Sequence, residues 1–145
     1  MLAVSFDEAT EPVEGAGYAV ANIRNLGEGY GFRKIRKDVG VTEFGVNAIV
    51  LPEGAETGFH LHERQQELYV VIDGELEIEF DDGKGFKLGP GGVARVDAPV
   101  ARKIRNSGQG DATYVIVGAE GGYVGRDGKL PEGEQRLATP GATGD

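Results

Sequence analysis

Both histidines of this 145-residue chain lie two positions apart, at His60 and His62, and Glu67 follows five positions later. In an extended segment, side chains at positions i and i+2 leave the same face, so both imidazoles can point at one ion. Imidazole is a common ligand of zinc, iron and nickel, and a carboxylate also suits harder ions such as manganese. The three residues therefore predict a divalent metal site, and their types leave the identity of the ion (Fe, Mn, Zn or Ni) open.

A pair of histidines alone can also be a polar pair without a ligand, so the flanking residues matter. The full spacing is G-x5-H-x-H-x4-E-x6-G, from Gly54 to Gly74. It resembles the first sequence signature of the cupin family. This resemblance implies an all-β fold, the cupin double-stranded β-helix or jelly-roll barrel, with His60, His62 and Glu67 around a central cavity.

The second cupin signature, G-x5-P-x-G-x2-H-x3-N, is matched only in part. It starts at Gly91 and ends at Asn106, but Asp97 replaces the proline, Pro99 the second glycine and Arg102 the histidine. In the family that histidine is a third metal ligand. A guanidinium cannot coordinate a cation, and about 5 Å from a divalent ion it would be repelled by about 6 to 7 kcal/mol at an effective dielectric of ~20.

Three arrangements of Arg102 reconcile its charge with the site, and the sequence leaves all three open. In the first, the metal stays and Arg102 binds the carboxylate of a small acid, as in a metal-dependent oxygenase or isomerase. In the second, Arg102 pairs with Glu67 in a metal-free pocket that serves ligand binding, sensing or acid-base chemistry by a histidine. In the third, Arg102 turns toward Asp97 or solvent and leaves a weak two-histidine site.

Arg102 and Tyr69 are the candidate catalytic residues. Tyr69 shares a strand face with Glu67, and its hydroxyl can donate a hydrogen bond or a proton there. The same position also suits a core aromatic residue whose hydroxyl is simply hydrogen-bonded.

Short candidate strands separated by turn signals such as Asp73-Gly74 fill residues 31–118, where we expect the barrel. Residues 1–30 are expected to form an N-terminal arm that can add a strand. Residues 119–145 are expected to be a flexible Gly/Pro-rich tail, because they contain little apolar surface. The resemblance further implies a homodimer.

The composition limits the class of partner. A formal net charge of −9 argues against nucleic-acid binding, and zero cysteines exclude disulfides and thiolate metal sites. The basic cluster Arg33-Lys34-Ile35-Arg36-Lys37 falls in an expected strand at 31–38 and is interpreted as its solvated edge. No segment approaches the length of a membrane-spanning helix. We therefore expect a cytoplasmic protein with no membrane partner. The small-molecule ligand expected from the position of Arg102 in the second cupin signature is a carboxylic acid.

Overall fold

The computed structural model describes residues 2–131, which are mainly β-strands. The strands are β1 (Val13–Gly15), β2 (Tyr18–Val20), β3 (Gly31–Arg33), β4 (Gly45–Leu51), β5 (Leu61–His62), β6 (Gln66–Asp73), β7 (Leu76–Phe80), β8 (Gly85–Leu88), β9 (Val93–Val96), β10 (Arg102–Asn106), β11 (Ala112–Ala119) and β12 (Gly128–Lys129). A 3-10 helix covers Ile23–Asn25, and the helix α1 covers Ile35–Val39. The predicted all-β class is confirmed.

Two antiparallel sheets form the barrel. The larger sheet has the order β3-β4-β11-β6-β9, and the smaller has the order β10-β7-β8. The chain before β5 extends the smaller sheet, through bridges from Glu56 to Arg105 and from His60 to Arg102. The inward side chains of both sheets pack into one core, which is formed by Ile49, Leu51, Tyr69, Val71, Leu76, Ile78, Val96, Ile104, Ala112 and Tyr114.

Asn106, at the end of β10, has a structural role. Its side chain is buried, and its Nδ2 donates to the carbonyl oxygens of Leu51 at 2.9 Å and of Gly110 at 2.8 Å. Its Oδ1 accepts a hydrogen bond from the backbone N–H of Gly108 at 3.0 Å. The amide thus joins the end of β4 to the loop that follows β10.

The expected strand at 31–38 is wrong beyond Arg33. The helix α1 begins at Ile35, and Gly40, with a φ of 75°, ends it. Arg33 is buried, and Arg36 lies against the barrel cavity with its guanidinium carbon 4.1 Å from the ring centroid of Tyr123. These tertiary contacts override the alternating pattern, so the basic cluster is not a solvated strand edge.

The two ends of the described chain differ in their contact with the barrel. In the N-terminal arm β1 and β2 pair with each other, and among residues 2–131 neither pairs with a barrel sheet. Residues 120–131, here called the strap, lie on the barrel, where Gly128 in β12 pairs with His62 in β5. The first part of the expected tail is therefore packed, and residues 132–145 lie outside the described chain. Within residues 2–131, no helix combines the length and apolarity needed to cross a bilayer.

The turn between β6 and β7 depends on Gly74. Its φ is 80°, and a Cβ there would lie 2.8 Å from both Ala112 Cα and Asp111 O. Gly83 in the next hairpin has a similar φ of 83° but has open space around it. The two glycines therefore separate the cost of a left-handed backbone from the cost of a steric clash.

We expect Gly83→Ala to lower the free energy of unfolding by about 1 to 2 kcal/mol, the cost of a left-handed L-residue. Gly74→Ala should lose a further amount of about 1 to 3 kcal/mol, because its methyl group collides with backbone. Urea unfolding of both variants measures the difference. Equal losses at the two positions would contradict the close approach at Gly74.

Candidate metal centre in the barrel cavity

The barrel encloses a cavity of about 600 Å³. His60, His62, Glu67, Tyr69 and Tyr114 lie on its wall. The strap closes one side with its residues 123–128. The volume falls in the range of about 300 to 1,000 Å³ that is typical of small-molecule sites.

Regular strand geometry brings the predicted residues to this wall. On β6, Glu67 and Tyr69 are buried while their neighbours Gln66 and Leu68 are exposed, as alternation predicts. His60 and Arg102 exchange both backbone hydrogen bonds at 2.9 Å, which places their side chains on the same face of the smaller sheet. His60 is thus fixed beside Arg102 although it lies outside a regular strand.

The donor atoms of His60, His62 and Glu67 all lie within 4.8 Å of one another. The two imidazole rings are 5.4 Å apart and nearly perpendicular, and His62 Nε2 is 3.2 Å from Glu67 Oε1. Metal–donor bonds of about 2.0 to 2.2 Å put neighbouring donors about 3.0 to 3.5 Å apart. The three residues therefore fit a metal ion with only a small closing movement.

Asp127, in the strap, holds the other nitrogen of His62. Its Oδ1 is 2.7 Å from His62 Nδ1, so in the neutral ring the proton is on Nδ1 and the lone pair is on Nε2. That Nε2 is buried and makes no hydrogen bond in the described chain, while it faces the carboxylate of Glu67. Two lone pairs at this distance repel each other, so the pair requires a cation between them, either a proton or a metal ion.

The two histidines differ in their affinity for protons. Burial lowers the pKa of His60 to about 4, and the positive charge of Arg102 adds to this effect. His60 is therefore neutral at pH 7, with a lone pair available for a metal. Burial also opposes the charged form of His62, but the carboxylates of Glu67 and Asp127 outweigh it and raise the pKa of His62.

Glu67 is ionised despite its burial. Burial alone would raise its pKa, but contact with His62, a hydrogen bond from Tyr69 and the charge of Arg102 together lower the pKa of Glu67. The Tyr69 hydroxyl donates to Glu67 Oε1 at 2.7 Å. Burial and the adjacent carboxylate raise the pKa of Tyr69 well above its usual value, so Tyr69 acts here as a hydrogen-bond donor and not as a base.

Arg102 is fully buried but does not form part of the cavity wall. Its Nη2 donates to the backbone carbonyl of Asp97 at 3.0 Å, while Nε and Nη1 have no hydrogen-bond partner in the described chain. Among residues 2–131, the ion pairs within 4.0 Å do not include one between Arg102 and Glu67. The geometry is nearest to the third arrangement, with Arg102 turned toward Asp97, but the guanidinium stays inside the barrel.

Sequence reasoning missed Asp127, which is 65 positions from His62 and lies in the expected flexible tail. Its only local signal is the Asp-Gly pair at 127–128, which is typical of a turn. Gln65, which precedes β6, is also buried, and its Nε2 donates to Asp127 Oδ1 at 2.5 Å. Both contacts depend on how the strap folds back, which local patterns do not encode.

Comparison with known families agrees with this geometry. Residues 47–118 match a family model described as the cupin domain. The chain belongs to the cupin superfamily. This cupin is 33% identical over 67 residues to an oxalate-binding protein of Thermotoga maritima, and the match covers 46% of this chain and 54% of that protein. The chain therefore spans about half the length of the curated relative it matches.

Solved structures also resemble this cupin. A sugar phosphate isomerase of the cupin superfamily from Silicibacter pomeroyi aligns with a TM-score of 0.60 and 26% identity, over 81% of this chain and 76% of that one. A protein with a double-stranded β-helix domain from Klebsiella pneumoniae aligns with a TM-score of 0.55 and 27% identity, over 62% and 76% of the two chains. The predicted cupin fold is confirmed.

Tyr69 and Tyr114 form a matched pair for testing the hydrogen bond to Glu67. Both are fully buried, but the Tyr114 hydroxyl has no partner in the described chain. We expect Tyr69→Phe to lower the free energy of unfolding by about 1.5 to 3 kcal/mol, because a hydrogen bond to a charged group is lost. Tyr114→Phe should change it by less than about 0.5 kcal/mol. Urea unfolding at neutral pH checks both, and equal effects would contradict this account of Glu67.

Proposed function

We propose that this cupin binds a divalent metal ion through His60, His62 and Glu67 and uses it to act on a small carboxylic acid. The observation that carries this proposal is the buried Nε2 of His62, which faces Glu67 Oε1 at 3.2 Å and has no hydrogen-bond partner in the described chain. A bound ion would supply open coordination positions and Lewis acidity for an oxygenase or isomerase reaction.

The charges around the donor atoms favour an anionic ligand once metal is bound. Arg102, Glu67 and Asp127 together carry one net negative charge when both histidines are neutral, and a divalent ion turns this into one net positive charge. Arg102 supports anion binding by its charge through space, since it does not reach the cavity wall. Two other cations, Arg36 and Arg126, do line the cavity and are the candidates for direct contact with a carboxylate.

The cavity accommodates more than the smallest acids. Its volume of about 600 Å³ exceeds the needs of oxalate, the ligand named for the Thermotoga relative. Tyr114 and Asn47 line this cavity, and the buried Tyr114 hydroxyl and Asn47 Oδ1 have no hydrogen-bond partner in the described chain. We therefore favour an acid that also carries hydroxyl groups, which is closer in chemistry to the sugar phosphate of the Silicibacter neighbour.

A second candidate function is a metal-free binding or sensor module, as the replacement of the third histidine by Arg102 suggests. In that case the cation between His62 and Glu67 is a proton. A chelator distinguishes the two functions, because it lowers the melting temperature of protein purified with its metal and leaves a metal-free module unchanged.

A homodimer and a cytoplasmic location stay predictions. The outer face of the larger sheet supports a dimer, since Leu68, Ile72 and Val93 are exposed on its neighbouring strands β6 and β9. Sedimentation equilibrium of the purified protein measures its mass in solution.

Elemental analysis of protein purified without chelator tests the metal site. We expect near-stoichiometric metal in the wild type, and at least about a tenfold loss of metal affinity in His60→Ala and in His62→Ala, because each removes a donor. Glu63→Gln, which changes a nearby exposed carboxylate bound to Lys129, serves as the control and should keep its metal. Metal content that is indifferent to both histidine substitutions would disprove the site.

Substitutions of Arg102 separate its effect on the metal from its effect on the acid. Arg102→Met removes the repulsion and should tighten metal binding by about tenfold or more, while it weakens carboxylate binding to the metal-loaded protein. Arg102→His should tighten metal binding further, because it restores a third imidazole donor. Titration calorimetry with metal and then with carboxylic acids measures both steps. Unchanged metal affinity in both variants would show that the charge of Arg102 does not reach the site.

A further inference from the structure

Asp127 makes several hydrogen bonds that fix the strap to the segment around His62. Its Oδ1 meets His62 Nδ1 at 2.7 Å and accepts from Gln65 Nε2 at 2.5 Å, while its Oδ2 accepts from the backbone N–H of Arg64 at 2.7 Å and of Gln65 at 3.1 Å. Its own carbonyl accepts from the N–H of Glu63 at 3.2 Å. Its side chain keeps only 8% of its surface exposed. This one carboxylate therefore joins the strap to the segment that carries His62.

We propose that Asp127 is a positioning residue that couples closure of the strap over the cavity to metal binding at His62. This inference rests on the proposed metal site. With the strap closed, Asp127 holds the proton of His62 on Nδ1 and turns Nε2 toward Glu67 Oε1, the orientation that coordination needs. With the strap open, His62 loses that partner, and its ring is free to rotate or to change tautomer.

The coupling works in both directions. If closure of the strap raises the affinity of His62 for metal, then metal binding must stabilise the closed strap by the same factor. The strap also supplies the cavity wall from Tyr123 to Gly128, so a closed strap confines a ligand that is already inside. Metal loading therefore prepares a closed chamber as well as a charged site.

Competition with a chelating dye measures metal affinity in the wild type, Asp127→Ala and Asp127→Asn. We expect Asp127→Ala to bind metal 10- to 100-fold more weakly, as is typical when the partner of a ligating histidine is removed. Asp127→Asn keeps an oxygen that can accept from Nδ1–H, so it should recover most of that loss. Lys129 lies on the same strap, and Lys129→Ala breaks its exposed ion pair with Glu63. This variant is the matched control and should bind metal like the wild type.

Two further measurements report on the mechanism and not on folding alone. The chain has two histidines, so ¹⁵N-labelled imidazole spectra report directly on the His62 tautomer, which should be Nδ1–H in the wild type and mixed in Asp127→Ala. Hydrogen exchange of the peptide spanning residues 120–131 should slow on metal addition in the wild type and in Lys129→Ala. In Asp127→Ala the exchange should be fast with or without metal.

The measurements distinguish failure of the proposed function from failure of the coupling. A wild type that binds no metal would overturn the proposed function and the coupling together. A wild type that binds metal, with Asp127→Ala binding it equally well, would overturn the coupling and leave the proposed function intact. Hydrogen exchange of the strap that is unaffected by metal in a wild type that binds metal would likewise overturn the coupling alone.

Discussion

The ionised, buried carboxylate of Glu67 on the wall of the barrel cavity is the constraint on which the site depends. A buried charge is costly unless it is paired and hydrogen-bonded. Tyr69 donates to Glu67 from two positions along the same strand, His62 faces it at 3.2 Å, and Arg102 lowers its pKa from the opposite sheet. Tyr69 and His62 both approach Oε1, and neither makes a bidentate contact with the carboxylate.

The fold fixes these partners by sheet register. Glu67 and Tyr69 share a face of β6 because strand side chains alternate, and the paired backbone hydrogen bonds between His60 and Arg102 bring the smaller sheet to the same cavity. The orientation of His62 instead depends on the strap, which lies outside both barrel sheets. Glu67, Tyr69, His60 and Arg102 are thus positioned by the barrel sheets, whereas the orientation of His62 depends on the strap, which pairs with β5 over only two residues.

Period-two alternation and turn residues, together with the cupin resemblance, were sufficient to predict the β-class and the buried positions of Glu67, Tyr69 and Arg102. They misread residues 35–39, because the helix there is fixed by the packing of Arg36 on Tyr123, a contact between distant parts of the chain. They missed Asp127 for the same reason. The three side chains that converge on the cavity come from one local motif, so their proximity could be predicted, whereas the contacts that support them are set by tertiary structure.

The replacement of the third histidine by Arg102 changes the net charge of the cavity. A third imidazole is neutral and would strengthen metal binding without changing the net charge. In the proposed metal site, the charge of Arg102 would oppose the ion through repulsion and would leave the metal-loaded site positive, which a neutral ligand does not compensate. An acid would compensate it, so in the proposed function metal and acid would stabilise each other in this cavity. The lost ligand is therefore consistent with a site that holds its metal most tightly when its acid is also bound.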